Sequence, residues 1–232
     1  MNYRSKLQYF LVQKLKCSNQ EAKNAMANGL VSINNSIITE NCFVSPYQKI
    51  NFGKTVVQDP ANFTYLAYYK PRGVECTLNV KIESSLAHVL PAEAKNLFYA
   101  GRLDKASEGL LLLTNDGHLY NKIIQPQRKL PKVYWVKLEK PYEKDFKTKM
   151  ENGVEILGKT TLPCKVILDG EDSFYIELTQ GLNRQIRRMC FSLGNYVTEL
   201  KRLRIGPVQL IDFEPGSFRY LNSFEITQLQ NL

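Results

Sequence analysis

Gly101-Arg102-Leu103-Asp104-Lys105-Ala106-Ser107-Glu108-Gly109-Leu110 runs directly into Leu111-Leu112-Leu113-Thr114-Asn115-Asp116-Gly117. The first nine residues read as a glycine-bounded loop holding an Arg and an Asp two positions apart. The four leucines that follow predict a buried strand. A short loop on a rigid scaffold is a usual place for chemistry. A carboxylate beside a guanidinium stays ionised, because the nearby positive charge favours its charged form. That suits a nucleophile better than a general acid. The same two side chains also describe an ion pair bracing a turn, since structural networks use such pairs too. The rest of the chain must decide between these readings.

Working outward, strand-like runs at 65–69, 110–113, 133–138 and 174–178 interleave with helical runs at 143–152 and 184–193. This interleaving predicts an α+β domain around a mixed sheet, spanning residues 64–232. Residues 58–63, polar and containing Pro60, read as a linker. Residues 1–57 read as a small α/β unit of their own. Its first helix is expected over residues 4–16, with Leu7, Phe10, Leu11 and Leu15 at helical spacing. Ser18-Asn19-Gln20-Glu21 is a capping box. The helix it opens turns Ala22, Ala25 and Met26 inward and stops at Gly29. A strand at 30–33, a turn at Asn34-Asn35 and short strands at 37–38 and 49–52 complete the unit.

The chain has 232 residues, with a hydrophobic fraction of 44% and a charged fraction of 23%, ordinary values for a folded protein. A net charge of +9 is not ordinary, and points to a polyanionic partner, with nucleic acid ahead of membrane. No apolar run is long enough to span a bilayer. Residues 1–6 lead into a polar helix and lack the apolar core of a signal peptide, so a cytoplasmic location is expected. The five cysteines are scattered without C-x-x-C spacing, which predicts neither a disulfide framework nor a zinc site. The two histidines, His88 and His118, have no ligand-spaced partners and read as structural or surface residues. No phosphate-binding glycine fingerprint occurs. Any chemistry is expected to run without metal or cofactor.

Three further segments stand with the opening loop. Tyr69-Lys70-Pro71-Arg72-Gly73 ends a strand in a turn carrying two cations. Lys132-Val133-Tyr134-Trp135-Val136-Lys137-Leu138 alternates as a strand, with Lys132, Tyr134, Val136 and Leu138 on one face. A tyrosine near the wet end of a strand is core or a platform for a nucleobase, the latter worth roughly 1–3 kcal/mol. In Asn183-Arg184-Gln185-Ile186-Arg187-Arg188-Met189-Cys190, Asn183 reads as an N-cap and Ile186, Met189 and Cys190 as an apolar stripe. Arg184, Arg187 and Arg188 then share the opposite face at the helix start, where amides already favour anions. With Lys201-Arg202-Leu203-Arg204 there are six basic residues and one acid between Gln180 and Arg204.

Together these segments resemble the ribosomal RNA pseudouridine synthases of the RsuA/RluB/RluE/RluF family. Gly101-Arg102-Leu103-Asp104 with Ser107 and Gly109-Leu110 matches its nucleophile motif. Lys70-Pro71-x-Gly73, Lys132-x-Tyr134 and the segment 183–189 match its other motifs in the same order. Segments 153–158 and 163–166 look closest to the RluF branch, which acts on large-subunit ribosomal RNA. The helix, capped helix, glycine, strand and turn of residues 1–57 resemble the S4 RNA-binding domain. Asn19 and Gln20 stand where that family usually carries a basic residue. Arg4, Lys6, Lys14, Lys16, Lys23, Lys49 and Lys54 nevertheless outnumber Glu21 and Glu40.

The resemblance implies a mainly antiparallel catalytic sheet and a reaction that needs no metal, cofactor or second substrate. It makes Asp104 the nucleophile, attacking the ribose of a target uridine or removing a proton from it. It makes Arg187 the ion-pair partner of Asp104, and Tyr134 the ring that stacks on the base. Arg102 and Lys70 become RNA contacts or braces, and Arg184, Arg188 and Arg202 become RNA contacts, with Lys6 and Lys23 on the basic face of the first domain. The implied partner is a folded stem-loop of ribosomal RNA, bound by a monomer, with no membrane involved. Pulling a base from its stack costs a few kcal/mol, which a basic groove and an aromatic platform offset. Two other readings use the same residues: the same chemistry on a transfer RNA anticodon arm, or a non-catalytic RNA-binding assembly factor.

Overall fold

The computed structural model describes residues 5–125, 127 and 129–232. Arg4, counted above in the basic set, lies outside them. The chain divides into two compact units, Met1–Phe63 and Thr64–Leu232.

In the first unit the elements run β1 (Ser5–Lys6), α1 (Leu7–Leu15), α2 (Asn19–Ala27), β2 (Val31–Ile33), β3 (Ser36–Ile37), β4 (Phe43–Val44), β5 (Ile50–Phe52) and β6 (Thr55–Gln58). Leu7, Leu11, Ala22 and Met26 pack from the helices against Val31, Ile33, Val44 and Ile50. The capping box forms: the Ser18 hydroxyl accepts from the Glu21 amide at 3.2 Å, and Glu21 accepts from the Ser18 amide at 2.7 Å. Asn34 and Asn35 take positive φ, as their turn requires. Two expectations change. The first helix begins at Leu7, because residues 5–6 pair with β4 instead. Gln58 belongs to β6 and pairs with Ile50, so the expected linker is shorter by that residue. Alternation is weak in such short pieces, which is why β4 and β6 escape a sequence reading.

The second unit contains β7 (Tyr65–Lys70), β8 (Phe98–Ala100), β9 (Glu108–Thr114), α3 (Gly117–Ile124), β10 (Lys132–Leu138), α4 (Phe146–Asn152), β11 (Glu155–Ile156) and β12 (Lys159–Thr160). It continues with β13 (Lys165–Asp169), β14 (Ser173–Leu178), α5 (Gln185–Ser192), β15 (Val197–Ile205), β16 (Val208–Gln209), β17 (Phe218–Tyr220) and α6 (Ser223–Gln230). Its sheet has the order β13-β14-β10-β15-β9-β7-β17, with β16 on β15 and β8 on β9. The β9–β15 pair is parallel, and the other pairings of this sheet are antiparallel. The sheet is mixed and mainly antiparallel.

The four leucines of β9 are buried without alternation, 2% exposed at most. A central strand covered on both faces reads this way. One core lies between β10, β13, β14, α4 and α5. A second gathers β7 and β9 with Leu86, Leu90 and Leu97 from the segment that follows β7. Tyr134, half-buried, packs against both. The parallel join is tight. Gly109 has φ +106, and a Cβ there would lie 2.4 Å from the Arg202 carbonyl oxygen. Only glycine lets β15 approach β9 this closely at the end of the Asp104 loop.

Candidate active site

A cleft of about 600 Å³ opens in the second unit, where the Asp104 loop meets β10, β15 and the start of α5. Asp104, Arg102, Tyr134, Arg184, Lys132 and Arg202 all line it, and Leu200 adds an apolar wall. Asp104 is about a third exposed, and the nearest guanidinium is that of Arg184, 3.8 Å from its carboxylate. Among the described residues the only other carboxylate on the cleft lining is Glu75. It is engaged elsewhere, accepting from Ser84 at 2.7 Å and Lys105 at 3.1 Å, and these bonds hold its carboxyl below the usual range. Glu108 also points away, accepting from the Tyr69 hydroxyl at 3.0 Å.

The loop that presents Asp104 is held almost peptide by peptide. Arg202 Nη1 donates to the Arg102 carbonyl at 3.2 Å. The Leu103 amide donates to Cys76 Sγ at 3.3 Å. The Ser107 amide donates to the Asp104 carbonyl at 3.0 Å, and the Gly73 amide to the Lys105 carbonyl at 2.8 Å. Arg187 Nη2 donates to the Ala106 carbonyl at 2.9 Å and to the Ser107 hydroxyl at 3.3 Å. A loop on so constrained a backbone holds the Asp104 carboxylate in one place.

Several expected roles move. Arg187 is not the ion-pair partner of Asp104. Its guanidinium is spent on the carbonyls of Ala106 and Val197. Burial, then the charge of Arg184, pull its pKa down, while Asp104 acts only as a charge at longer range. Arg184 takes the pairing position because it precedes α5 in the left-handed region, φ 49, which throws its side chain off the helix. Asn183 is therefore not the N-cap. Its carbonyl and side-chain oxygen accept from Arg188 at 3.1 and 3.3 Å. The three arginines do not share one face.

Lys70 is fully buried, donating to the carbonyls of Pro71 and Val74 at 2.7 Å each, so it braces its turn and does not touch RNA. Arg202 is 2% exposed and is likewise no phosphate contact. Arg102 is exposed at the cleft, and Lys6 and Lys23 are exposed on the first unit. Burial pushes both Lys70 and Lys132 down to about 8, with Arg202 adding repulsion to each. The sequence marks Gly73 only as part of a turn and motif and does not mark Cys76, because both support the loop through groups that meet only in the fold.

Among the described residues no cluster of His, Cys, Asp and Glu could hold a metal ion. No helix among them is long and apolar enough to cross a membrane. All five cysteines are free thiols.

The sequence pattern of the RNA pseudouridylate synthase family matches residues 64–192, more than half of the chain and the whole segment from β7 through α5. The chain belongs to this family of RNA-modifying enzymes. It is 35% identical over 218 residues to the dual-specificity RNA pseudouridine synthase RluF of Escherichia coli K12, covering 93% of this chain and 75% of that one. It is 33% identical over 235 residues to the ribosomal small subunit pseudouridine synthase A of Vibrio vulnificus, covering 95% and 97%. A solved pseudouridylate synthase structure superposes with a TM-score of 0.67 at 28% identity, covering 97% of this chain and 99% of that one.

Proposed function

We propose that this enzyme converts uridine to pseudouridine in large-subunit ribosomal RNA, with Asp104 as the nucleophile. The observation that carries the reading is the placement of Asp104: partly exposed in a cleft, faced by Arg184 and Tyr134, on a loop whose carbonyls are held. The reaction breaks the N1–C1′ bond, turns the uracil and forms the C5–C1′ bond; C5 gives up its proton and N1 takes one up, so the product is an isomer of the substrate. One ionised carboxylate suffices to start it, by attack at the ribose or by removal of a ribose proton. Arg184 sets a guanidinium 3.8 Å from that carboxylate and helps to hold it in place. Tyr134 offers a ring to the extruded base, and Lys132 lies beside it at the start of β10. Glycoside hydrolysis, by contrast, normally uses two carboxyls across the bond, and Glu75 is already occupied.

The large-subunit target is supported by the likeness to RluF and by the RluF-like segments at 153–158 and 163–166. The resemblance of the first unit to an S4 domain, with Lys6 and Lys23 exposed, supports a role in gripping folded RNA. A second reading, the same chemistry on a transfer RNA anticodon arm, uses the same residues; the name of RluF, dual-specificity, speaks of more than one target for that relative. The test is pseudouridine mapping of total RNA from strains carrying the wild-type gene, no gene, or Asp104→Asn. The expected result is one large-subunit uridine left unmodified in the last two. A wild-type map from Asp104→Asn overturns the nucleophile, and a loss confined to transfer RNA selects the second reading.

A further inference from the structure

We propose that Arg202 is a positioning residue for Asp104, acting through the backbone of Arg102. This rests on Asp104 being the nucleophile. The Arg202 guanidinium is buried, and none of the ion pairs among the described residues includes it. Burying a charge without a counter-charge is costly, so its hydrogen bonds show what it is kept for. Nε donates to the Leu110 carbonyl at 2.7 Å, in the rigid centre of the sheet. Nη1 donates to the Arg102 carbonyl at 3.2 Å, two residues before Asp104. One planar group thus ties the entry of the loop to the strand at its exit.

Nη2 is buried and has no partner among the described residues. The side chain is therefore fixed by the two carbonyl bonds and not by a third. The clamp is anchored in turn by its own strand. Arg202 pairs with Gly109 in the parallel register, where only a glycine admits it. A guanidinium makes this span because its donors form a rigid fork, whereas a lysine ammonium is a single point on a flexible stem. A loop shifted by about 1 Å can lose two orders of magnitude in rate while RNA binding, made elsewhere, persists.

The experiment uses the full chain with ribosomal RNA from a strain lacking the gene as substrate. Wild type, Arg202→Lys, Arg202→Gln and Asp104→Asn are compared by single-turnover pseudouridine formation, RNA Kd and melting temperature. The expected result for Arg202→Lys is a rate at saturating RNA about 30-fold to 100-fold lower, with Kd within about twofold of wild type. Arg202→Gln should be slower still. An unchanged rate, or a loss carried by Kd alone, overturns the proposal. So does failure of both variants to fold, which would make Arg202 a core residue only. A wild-type rate from Asp104→Asn instead removes the nucleophile reading, whatever the Arg202 variants do.

Discussion

Arg184 faces the Asp104 carboxylate at 3.8 Å, and it does so from a left-handed residue just before α5. The pair is half exposed on the arginine side, so its worth to folding is small, about 0–1 kcal/mol. In the proposed reaction its worth is the position it gives the Asp104 carboxylate. Arg184→Asn removes the guanidinium while tolerating the left-handed backbone. The variant should melt within a few degrees of wild type and form pseudouridine at least about tenfold more slowly, a difference of about 1.4 kcal/mol. A single-turnover assay beside a melting curve checks both halves; equal rates would remove Arg184 from the site.

Gly109→Ala should be among the most damaging single substitutions in the second unit. The new methyl would meet Arg202 backbone atoms at 2.4 and 2.6 Å, and the residue already sits at φ +106. Neither strand can retreat without breaking the parallel join at the sheet's centre. A loss of about 2–4 kcal/mol is expected. Gly117→Ala is the control: nothing lies within 4 Å of its added Cβ, and it opens α3. That change should be neutral or stabilise by up to about 1 kcal/mol. Urea denaturation of both variants distinguishes the outcomes.

Lys70, buried, and Lys132, half-buried, shape the alkaline stability. In the folded chain Lys70 and Lys132 titrate near 8, chiefly because burial disfavours their charge; unfolded they titrate near ~10.4. Between these values the unfolded chain binds more protons, so stability should rise with pH, by up to about 1.4 kcal/mol per pH unit for each lysine. Below pH 8 both are charged in either state and their contribution is flat. Lys132→Met should remove its share of the rise. Unfolding free energies of the wild type and Lys132→Met at pH 7.5, 8.5 and 9.5 should therefore diverge; parallel profiles would contradict the assignment.

Much of this site is legible in the sequence because its signals are local. The four leucines after Gly109, the alternation of 132–138 and the capping box at Ser18 each depend on neighbours a few residues away. They give the strands, the face that bears Tyr134 and the helix start. The partner of Asp104 is not local. Helical spacing puts Arg184, Arg187 and Arg188 on one face only if the helix includes all three, and the positive φ at Arg184 breaks that premise. Lys70 and Arg202 look like surface cations in a basic chain. Burial turns both inward, onto carbonyls that no spacing rule names.

The bonds that shape the Asp104 loop reach across 27, 81 and 100 residues of chain, to Cys76, Arg187 and Arg202. Long closures form late, since their entropy must be overcome before any contact rewards it. During synthesis the leucine strand, the Tyr134 strand and most of the basic residues emerge first, and β15 follows. The loop takes its working shape only when that strand slots in beside Gly109. A chain halted short of β15 would therefore still carry most of its positive charge, but no settled Asp104 loop. The shape of that loop arrives with the last long strand, as a report that the two halves of the sheet have joined.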